Sequence, residues 1–328
     1  MLDRINTGEG ILSAVGNTPV VEIDLGLKCQ LLAKLEYLNP GGSIKDRSAL
    51  FMVLEAENNG FLKPGGTIVE ASSGNQGIAL AMIGCAKGYK VIITVPARTS
   101  IEKVKTIKAY GAKVIVCGDT GLKDSESYCD VAKRLSKEID GAYMPNQYFN
   151  ESNAAAHYGT TGPEIWKQTK GKITHFFCGA GSCGTIMGVG KFLKEQNPDV
   201  KIIGVDADTS PYSCKNPRPY KNEGIGIDYP VEGLFDESQV DQIIPVSDDA
   251  AFSRTIEIAK TVGTLVGPSS GAVVEGVLRY REIFKPGDVA VAIFADSGRA
   301  YLEKVFRVEN CDAEKEKSGK VIPLARLS

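Results

Sequence analysis

The amino-acid sequence predicts an α/β protein built on mostly parallel sheets with helices on both faces. Short runs of apolar and β-branched residues alternate with stretches of helical periodicity. The apolar runs are continuous rather than alternating, which is typical of parallel strands that are buried on both faces. Segments rich in glycine and serine follow several of these runs, at the carboxyl ends of strands where ligands bind in such sheets.

Eight strands and several intervening helices support this fold class. The strand segments are VVEID, QLLAKLE, TIVEA, KVIITVP, AKVIVCG, ITHFFCG, KIIGVDA and VAVAIFA. The clearest helical segments are Asp46–Asn59, Gln76–Lys87, Ile101–Tyr110 and Asp124–Lys137. A length of 328 residues favours two domains, and the polar, proline-containing stretch Tyr143–Asn153 marks a boundary between them.

Composition excludes several classes of function. A net charge of −2 does not suggest a general nucleic-acid or membrane-surface binder. The longest apolar runs have the length of strands, and the first residues lack a signal-peptide hydrophobic region, so we expect a cytoplasmic protein without a membrane span. Eight cysteines without a C-x-x-C pair, together with two histidines, favour buried reduced thiols and argue against a metal site.

The first loop of chemical interest is NPGGSIKDRSA, which follows a predicted strand and places Lys45 in a first helical turn. The partial positive charge of a helix N-terminus, and any burial, lowers the pKa of a lysine amine. A neutral amine near pH 7 is what a Schiff base requires. The alternative is an ordinary solvated lysine.

Two further loops carry hydroxyl groups between a strand and a helix. In VEASSGNQGIALAM, the segment from Ser72 to Asn75 predicts a nest for a small carboxylate or a phosphate, with ordinary helix capping as the alternative. In LVGPSSGAVVEG, Ser269 and Ser270 are candidate ligands or caps.

The fourth loop, GAGSCG, fits the dinucleotide fingerprint G-x-G-x-x-G, and Asp206 follows at the spacing of a ribose-binding acid. This motif alone predicts an NAD-dependent dehydrogenase. It is a weak signal, because a strand, a glycine turn and a helix N-terminus suit any phosphate. The dehydrogenase alternative also leaves Lys45 and the three other loops unexplained.

In combination, these motifs resemble the pyridoxal-phosphate β-family of fold type II, which contains cysteine synthase (O-acetylserine sulfhydrylase) and the catalytic core of cystathionine β-synthase. The resemblance extends from VGNTPVVEI to FADSGRAYLEKVF. It implies two domains, each with a helix-covered, mostly parallel twisted sheet, and pyridoxal 5′-phosphate in the cleft between them. The smaller domain, 38–148, would carry Lys45 and the substrate-carboxylate loop. The larger domain, 1–37 plus 149–328, would carry the phosphate loop and Ser269.

The resemblance also implies a role for each motif residue. NPGGSIKDR makes Lys45 the Schiff-base residue, SSGNQG places Asn75 at the cofactor's 3′-oxygen, and GPSSGA places Ser269 at the pyridine nitrogen. The cofactor phosphate would be held by Gly181, Ser182, Cys183, Gly184 and Thr185. The substrate would contact Ser72, Ser73, Gly74, Asn75, Gln76, Gln147 and Gly224.

The implied reaction is β-replacement or β-elimination on O-acetylserine, serine or cysteine through an α-aminoacrylate, which makes or exchanges L-cysteine and sulfide. Lys45 would remove the α-proton, and a small thiol, sulfide or water would act as the nucleophile. The neutral Ser269 hydroxyl would keep the pyridine nitrogen unprotonated, which favours this chemistry over transamination. Such a transferase or lyase is expected to be a homodimer.

Three residues depart from the cysteine-synthase pattern. EGIGIDYP looks like the cystathionine-synthase branch and makes Asp228 a second catalytic candidate, with a surface-turn aspartate as the alternative. Asp228 would activate water or a neutral thiol, as in a cystathionine β-synthase-like enzyme or a hydrogen-sulfide-releasing cysteine lyase that produces L-serine. Gln76 replaces a threonine. Cys183 replaces a glycine, which is acceptable only if this position does not need a positive φ.

A non-catalytic sensor with this fold is a distant alternative. It is disfavoured because Lys45, Asn75, Gln147 and Ser269 are all present. With pyridoxal phosphate in the loop, Asp206 would lose its ribose role and become an ordinary strand-end residue.

Overall fold

Two separate sheets form the framework of the computed structural model, which describes residues 10–118, 124–227 and 233–306. The strands are β1 Val20–Glu22, β2 Gln30–Leu35, β3 Thr67–Ala71, β4 Lys90–Pro96, β5 Lys113–Cys117, β6 His175–Gly179, β7 Lys201–Ala207, β8 Gln242–Val246 and β9 Val289–Phe294. Six strands lie in the order β1-β2-β9-β6-β7-β8, and three in the order β3-β4-β5. Every pair is parallel except β1 with β2. The α/β class with mostly parallel sheets is therefore confirmed.

The eight predicted strands all exist, and the structure adds β8. This strand was missed because Pro245 interrupts its apolar run. A proline has no N–H to donate and is tolerated on an edge strand. β8 lies at the edge of the six-stranded sheet, where it pairs only with β7.

Nine α-helices are present in the described part of the chain. They are α1 Lys45–Asn58, α2 Asn75–Lys87, α3 Ile101–Ala109, α4 Tyr128–Glu138, α5 Ser152–Gly159, α6 Thr161–Gln168, α7 Gly184–Gln196, α8 Asp248–Thr261 and α9 Pro268–Arg279. The four predicted helices are confirmed, although α4 begins four residues later than expected. Its start is set by Ser127, whose hydroxyl accepts a hydrogen bond from the N–H of Asp130.

Each sheet has its own hydrophobic core. The three-stranded sheet packs against α1, α2 and α4, and the six-stranded sheet is covered on one face by α9 and on the other by α7. We call β3–β5 with α1–α4 the smaller-sheet half, and the remaining elements the larger-sheet half. The exact domain limits, 38–148 against 1–37 plus 149–328, stay a prediction.

Within the described residues, no helix is both long and apolar enough to span a membrane. The same residues contain no group of three or more histidine, cysteine or acidic side chains arranged to hold a metal. Seven cysteines are described, and five of them are buried whereas Cys85 is exposed. Cys311 lies outside the described residues.

Candidate active site

The N-termini of four helices, α1, α2, α7 and α9, converge on one cleft between the two halves. Eight of the predicted site residues line a single cavity there: Lys45, Asn75, Gly181, Ser182, Cys183, Thr185, Gly224 and Ser269. Helix N-termini carry partial positive charge and free N–H groups, so their convergence favours an anionic ligand. The structure thus brings together five segments that are far apart in the sequence.

Lys45 is the first residue of α1, and its side chain points into this cleft. Its Nζ donates a hydrogen bond to Oγ of Ser182 at 3.0 Å. Burial lowers the pKa of the Lys45 amine from its usual range, and the nearby thiols of Cys178 and Cys183 offset only part of that effect. The amine therefore loses its proton more readily than a solvated lysine does.

The hydroxyls of the phosphate loop are held by α5. Asn153 donates from Nδ2 to Oγ of Ser182 at 3.1 Å. His157 contacts Oγ1 of Thr185 through Nε2 at 3.2 Å and Oγ1 of Thr161 through Nδ1 at 2.9 Å. Burial lowers the pKa of His157 well below its usual value, so the ring is neutral. These contacts orient the hydroxyls of Ser182 and Thr185.

Sequence reasoning missed Asn153 and His157. Asn153 is fully buried, and its Nδ2 also donates to the carbonyl oxygen of Gln147 at 2.8 Å. A Cβ at Gly184 would overlap the Asn153 amide, so glycine is needed there for close approach. The sequence feature that could have revealed them is a pair of polar residues, four positions apart, in the alanine-rich segment SNAAAHYG.

Cys183 overturns one expectation. Its φ is +62°, in the left-handed region, although a cysteine was expected here only if a positive φ was not required. Such a backbone costs a non-glycine residue roughly 1–2 kcal/mol. Burial raises the pKa of the Cys183 thiol to about 12, so the side chain is a neutral, small, apolar group at the start of α7.

Ser269 provides an observation that points directly to a ligand. Its side chain is only 3% exposed, and within the described chain its Oγ has no hydrogen-bond partner. Gly224, with φ of +91°, has its backbone against this hydroxyl, because a Cβ there would lie 3.2 Å from Oγ. A Cβ at Gly181 would in turn lie 2.9 Å from the carbonyl oxygen of Gly224. Buried hydroxyls are normally paired, so this one is available to a bound group.

The loop from Ser72 to Gln76 begins α2. The Ser72 hydroxyl accepts hydrogen bonds from the N–H groups of Gly74 at 3.3 Å and Gly77 at 3.1 Å, and the N-cap residue of α2 is Gly74. Ser73 is exposed. Asn75 donates from Nδ2 to Oδ2 of Asp296 at 2.7 Å, a contact that the sequence did not predict.

Two glutamines are buried beside this loop with unused polar atoms. Among the described residues, neither side-chain polar atom of Gln76 has a partner, and Oε1 of Gln147 also lacks one. Glu70 connects the two segments, because it accepts the N–H of Ala71 at 3.2 Å and that of Asn146 at 2.8 Å. The backbone before Gln147 is therefore tied to the backbone before Ser72.

Two acidic residues singled out in the sequence remain, Asp228 and Asp206. Asp228 lies outside the described residues. Asp206 is the next-to-last residue of β7, as expected of a residue near the strand end, and it is fully buried. Burial raises the pKa of Asp206 to about 6, and the nearby hydroxyls of Ser213 and Ser210 limit that rise.

Residues 11–296 match the model of a protein family described as pyridoxal-phosphate dependent enzymes. The chain is 41% identical over 305 residues to a cystathionine beta-synthase of Apis mellifera, a match that covers 90% of this chain and 60% of that protein. It is 38% identical over 299 residues to a cysteine synthase of Staphylococcus aureus, covering 90% of this chain and 95% of that protein. The chain therefore spans well under two thirds of the cystathionine beta-synthase and nearly all of the cysteine synthase.

The fold of this chain is also similar to that of a solved structure. The crystal structure of a hydrogen sulfide-producing enzyme from Fusobacterium nucleatum superposes with a TM-score of 0.84 at 37% identity. The match covers 90% of this chain and all of that chain. The cleft with its buried lysine and its four convergent loops thus belongs to an architecture with solved representatives.

Proposed function

The chain belongs to the family of pyridoxal-phosphate dependent enzymes, and from this premise we propose that it catalyses β-replacement or β-elimination on a serine-type amino acid. The donor class is O-acetylserine, serine or cysteine, and the products are L-cysteine, a related thioether or sulfide. The relatives named cysteine synthase and cystathionine beta-synthase support this class of reaction.

The residues of the cleft fit the cofactor. The buried, unpartnered Oγ of Ser269 offers a neutral hydroxyl to a ring nitrogen. Gly181 and Gly224 allow the backbone to pack closely beside this hydroxyl, and the N-terminus of α7 with Ser182 and Thr185 suits a phosphate. Bound pyridoxal phosphate supplies the electron sink that acidifies the α-proton of an amino acid and lets a β-substituent leave.

The residues of the cleft have three separate roles in this proposal. Lys45 Nζ, with its lowered pKa, is the group that holds the cofactor and afterwards accepts and returns the substrate's α-proton. The N–H groups at the start of α2 and the side chain of Gln147 bind the substrate carboxylate. Asn153 and His157 keep the phosphate-side hydroxyls in place.

The observation that carries the proposal is the position of Lys45. Its amine lies 3.0 Å from Ser182 of the phosphate loop, in the same cavity as the unpartnered Ser269 hydroxyl. The test is a screen of the protein reconstituted with pyridoxal phosphate. O-acetylserine, serine, cysteine and O-phosphoserine are each offered with sulfide, homocysteine or water, and products are identified by mass spectrometry. A protein that binds the cofactor and turns over none of these donors would be a sensor instead, and reduction of NAD would indicate a dehydrogenase.

A second candidate function is sulfide release from cysteine with water as the nucleophile. It is favoured by Asp228 in the sequence and by the likeness to a hydrogen sulfide-producing enzyme. Asp228→Asn should then reduce serine formation from cysteine much more than cysteine formation from O-acetylserine and sulfide. Equal effects on both rates would remove Asp228 from this role.

Homodimer formation is a further proposal that the family resemblance supports, and a cytoplasmic location likewise stays a proposal. Light scattering on the purified protein tests the first. A mass equal to one 35.1 kDa chain would contradict it.

A further inference from the structure

Asp296 lies where three of the four predicted loops meet. It follows β9 and is 3% exposed. Its backbone pairs with Ser43, which lies in the loop before Lys45. Its carbonyl oxygen accepts a hydrogen bond from the N–H of Gly267, which directly precedes α9. Its Oδ2 accepts a hydrogen bond from Asn75 Nδ2 at 2.7 Å. No motif argument singled out this residue.

The carboxyl group is also held from the opposite side. Tyr301 donates its hydroxyl to the same Oδ2 at 2.6 Å, and both side chains are buried. A Cβ at Gly267 would overlap Oδ1 of Asp296, so the carboxyl group has little freedom to turn. Oδ2 is therefore fixed in front of the Asn75 amide.

A chain of contacts continues from Tyr301 across the cleft. The ammonium of Lys103, on α3 of the smaller-sheet half, lies 3.4 Å from the Tyr301 hydroxyl and 4.8 Å from the centre of its ring. Lys103 is only 2% exposed and forms an ion pair with Glu223, which directly precedes Gly224. Lys304 pairs with the other oxygen of Glu223 at 2.6 Å.

We propose that Asp296 is a positioning residue that sets the orientation of Asn75 when the two halves are closed. Oδ2 of Asp296 accepts hydrogen bonds from Tyr301 and Asn75, so the Asn75 amide presents its NH₂ group to it. One N–H is then bound by Asp296, and the second is directed to the cofactor oxygen that the resemblance assigns to Asn75. Lys103 and Asn75 both belong to the smaller-sheet half, so the Lys103–Glu223 pair stabilises the closed arrangement in which this contact exists.

The inference rests on the proposed function, and its test separates the two. The protein is loaded with pyridoxal phosphate, and the visible absorption band of the bound cofactor is compared among wild type, Asn75→Ala, Asp296→Ala and the double variant. Because Asp296 acts through Asn75, the two single variants should shift the band in the same direction, and the double variant should show no further shift. Loss of one aligned hydrogen bond should lower kcat about 10-fold and change KM less.

Conservative variants provide the controls. Asp296→Asn keeps an acceptor for both donors and should restore most of the activity lost in Asp296→Ala. Tyr301→Phe should give a smaller shift of the same sign, whereas Tyr89→Phe, which removes a hydroxyl donated to Glu57 outside the cleft, should give none.

Additive shifts in the double variant, or wild-type absorption in folded Asp296→Ala, would overturn the inference. If Asp296→Ala does not fold, the deciding variant is Tyr301→Phe. Wild-type absorption and wild-type kcat in Tyr301→Phe would then overturn the inference. Wild-type protein that binds no cofactor would instead contradict the proposed function.

Discussion

Nζ of Lys45 donates a hydrogen bond to Oγ of Ser182 across 137 positions of the sequence. This contact joins the start of α1, in the smaller-sheet half, to the phosphate loop of the larger-sheet half. The hydroxyl in turn accepts a hydrogen bond from Asn153. The reactive amine and the groups that surround it are thus arranged by the closure of two halves.

The first prediction concerns Lys45. Lys45→Ala should lower kcat for any active donor about 10³-fold, the scale of a lost general acid–base group. Lys87→Ala, which removes a surface partner of Glu57 at 3.2 Å, is the matched control and should have wild-type kinetics. Steady-state turnover with the best donor from the screen measures both. A Lys45→Ala protein within tenfold of wild type would show that another group carries the proton.

The second prediction concerns Gly184. Gly184→Ala places a methyl group against Asn153, which holds both Ser182 and the carbonyl of Gln147. Displacing Asn153 should weaken cofactor binding about 10-fold, the equivalent of one hydrogen bond. Absorbance titration with pyridoxal phosphate measures the dissociation constant.

The control for this change is Gly190→Ala on the same helix. Its added methyl group would meet Ile202 at 3.3 Å, which a small shift relieves. Cofactor affinity in Gly190→Ala should match wild type. Equal affinities for all three proteins would mean that Asn153 is not needed in its observed position.

The third prediction concerns Glu70, which accepts N–H groups from Ala71 and Asn146 on either side of the proposed substrate-carboxylate site. Glu70→Ala frees the segment that carries Gln147, so the substrate KM should rise about 10-fold while kcat changes less. Glu57→Gln, at a carboxyl group outside the cleft, should leave both constants unchanged. A fall in kcat with unchanged KM in Glu70→Ala would contradict the assignment.

The fourth prediction is a pH dependence of stability at the same residue. Burial raises the pKa of Glu70 from 4.5 to about 8, and two backbone N–H groups limit that rise. Because the folded-state pKa is the higher one, the stability that Glu70 contributes is complete below about pH 4.5 and is lost as the pH rises through about 8. Urea unfolding at a series of pH values should show this decline in wild type relative to Glu70→Gln. Parallel profiles would show that folding does not raise the pKa of Glu70.

The fifth prediction concerns Cys183. Cys183→Gly removes the strain of a left-handed backbone, which is about 1 kcal/mol. It also loses the packing of a buried thiol, which contributes a free energy of about the same magnitude. The free energy of unfolding should therefore stay within about 1 kcal/mol of wild type. Cys183→Val should be clearly less stable, because a β-branched residue is poorly tolerated at a positive φ. A Val variant as stable as wild type would mean that this backbone relaxes.

Much of the fold was predictable because local sequence patterns report local physics. β3, β4 and β7 were predicted with their exact limits, since a continuous apolar run has few other low-energy arrangements in a buried sheet. β8 was missed because Pro245 interrupts its apolar run, and only its edge position in the sheet makes a proline acceptable there. Four candidate ligand loops could be proposed for the same local reason, since glycine, serine and a following helix are contiguous in the sequence.

The sequence by itself determined the α/β class, the family and the identity of Lys45, Asn75 and Ser269 as candidates, because each lies in a short contiguous motif. Only the tertiary structure decided which side chains orient them. Asn75 and Asp296 are 221 positions apart, and no local pattern encodes their 2.7 Å contact. Such a contact forms when two separately packed sheets close on one another, because buried polar groups must then find partners wherever the fold brings them.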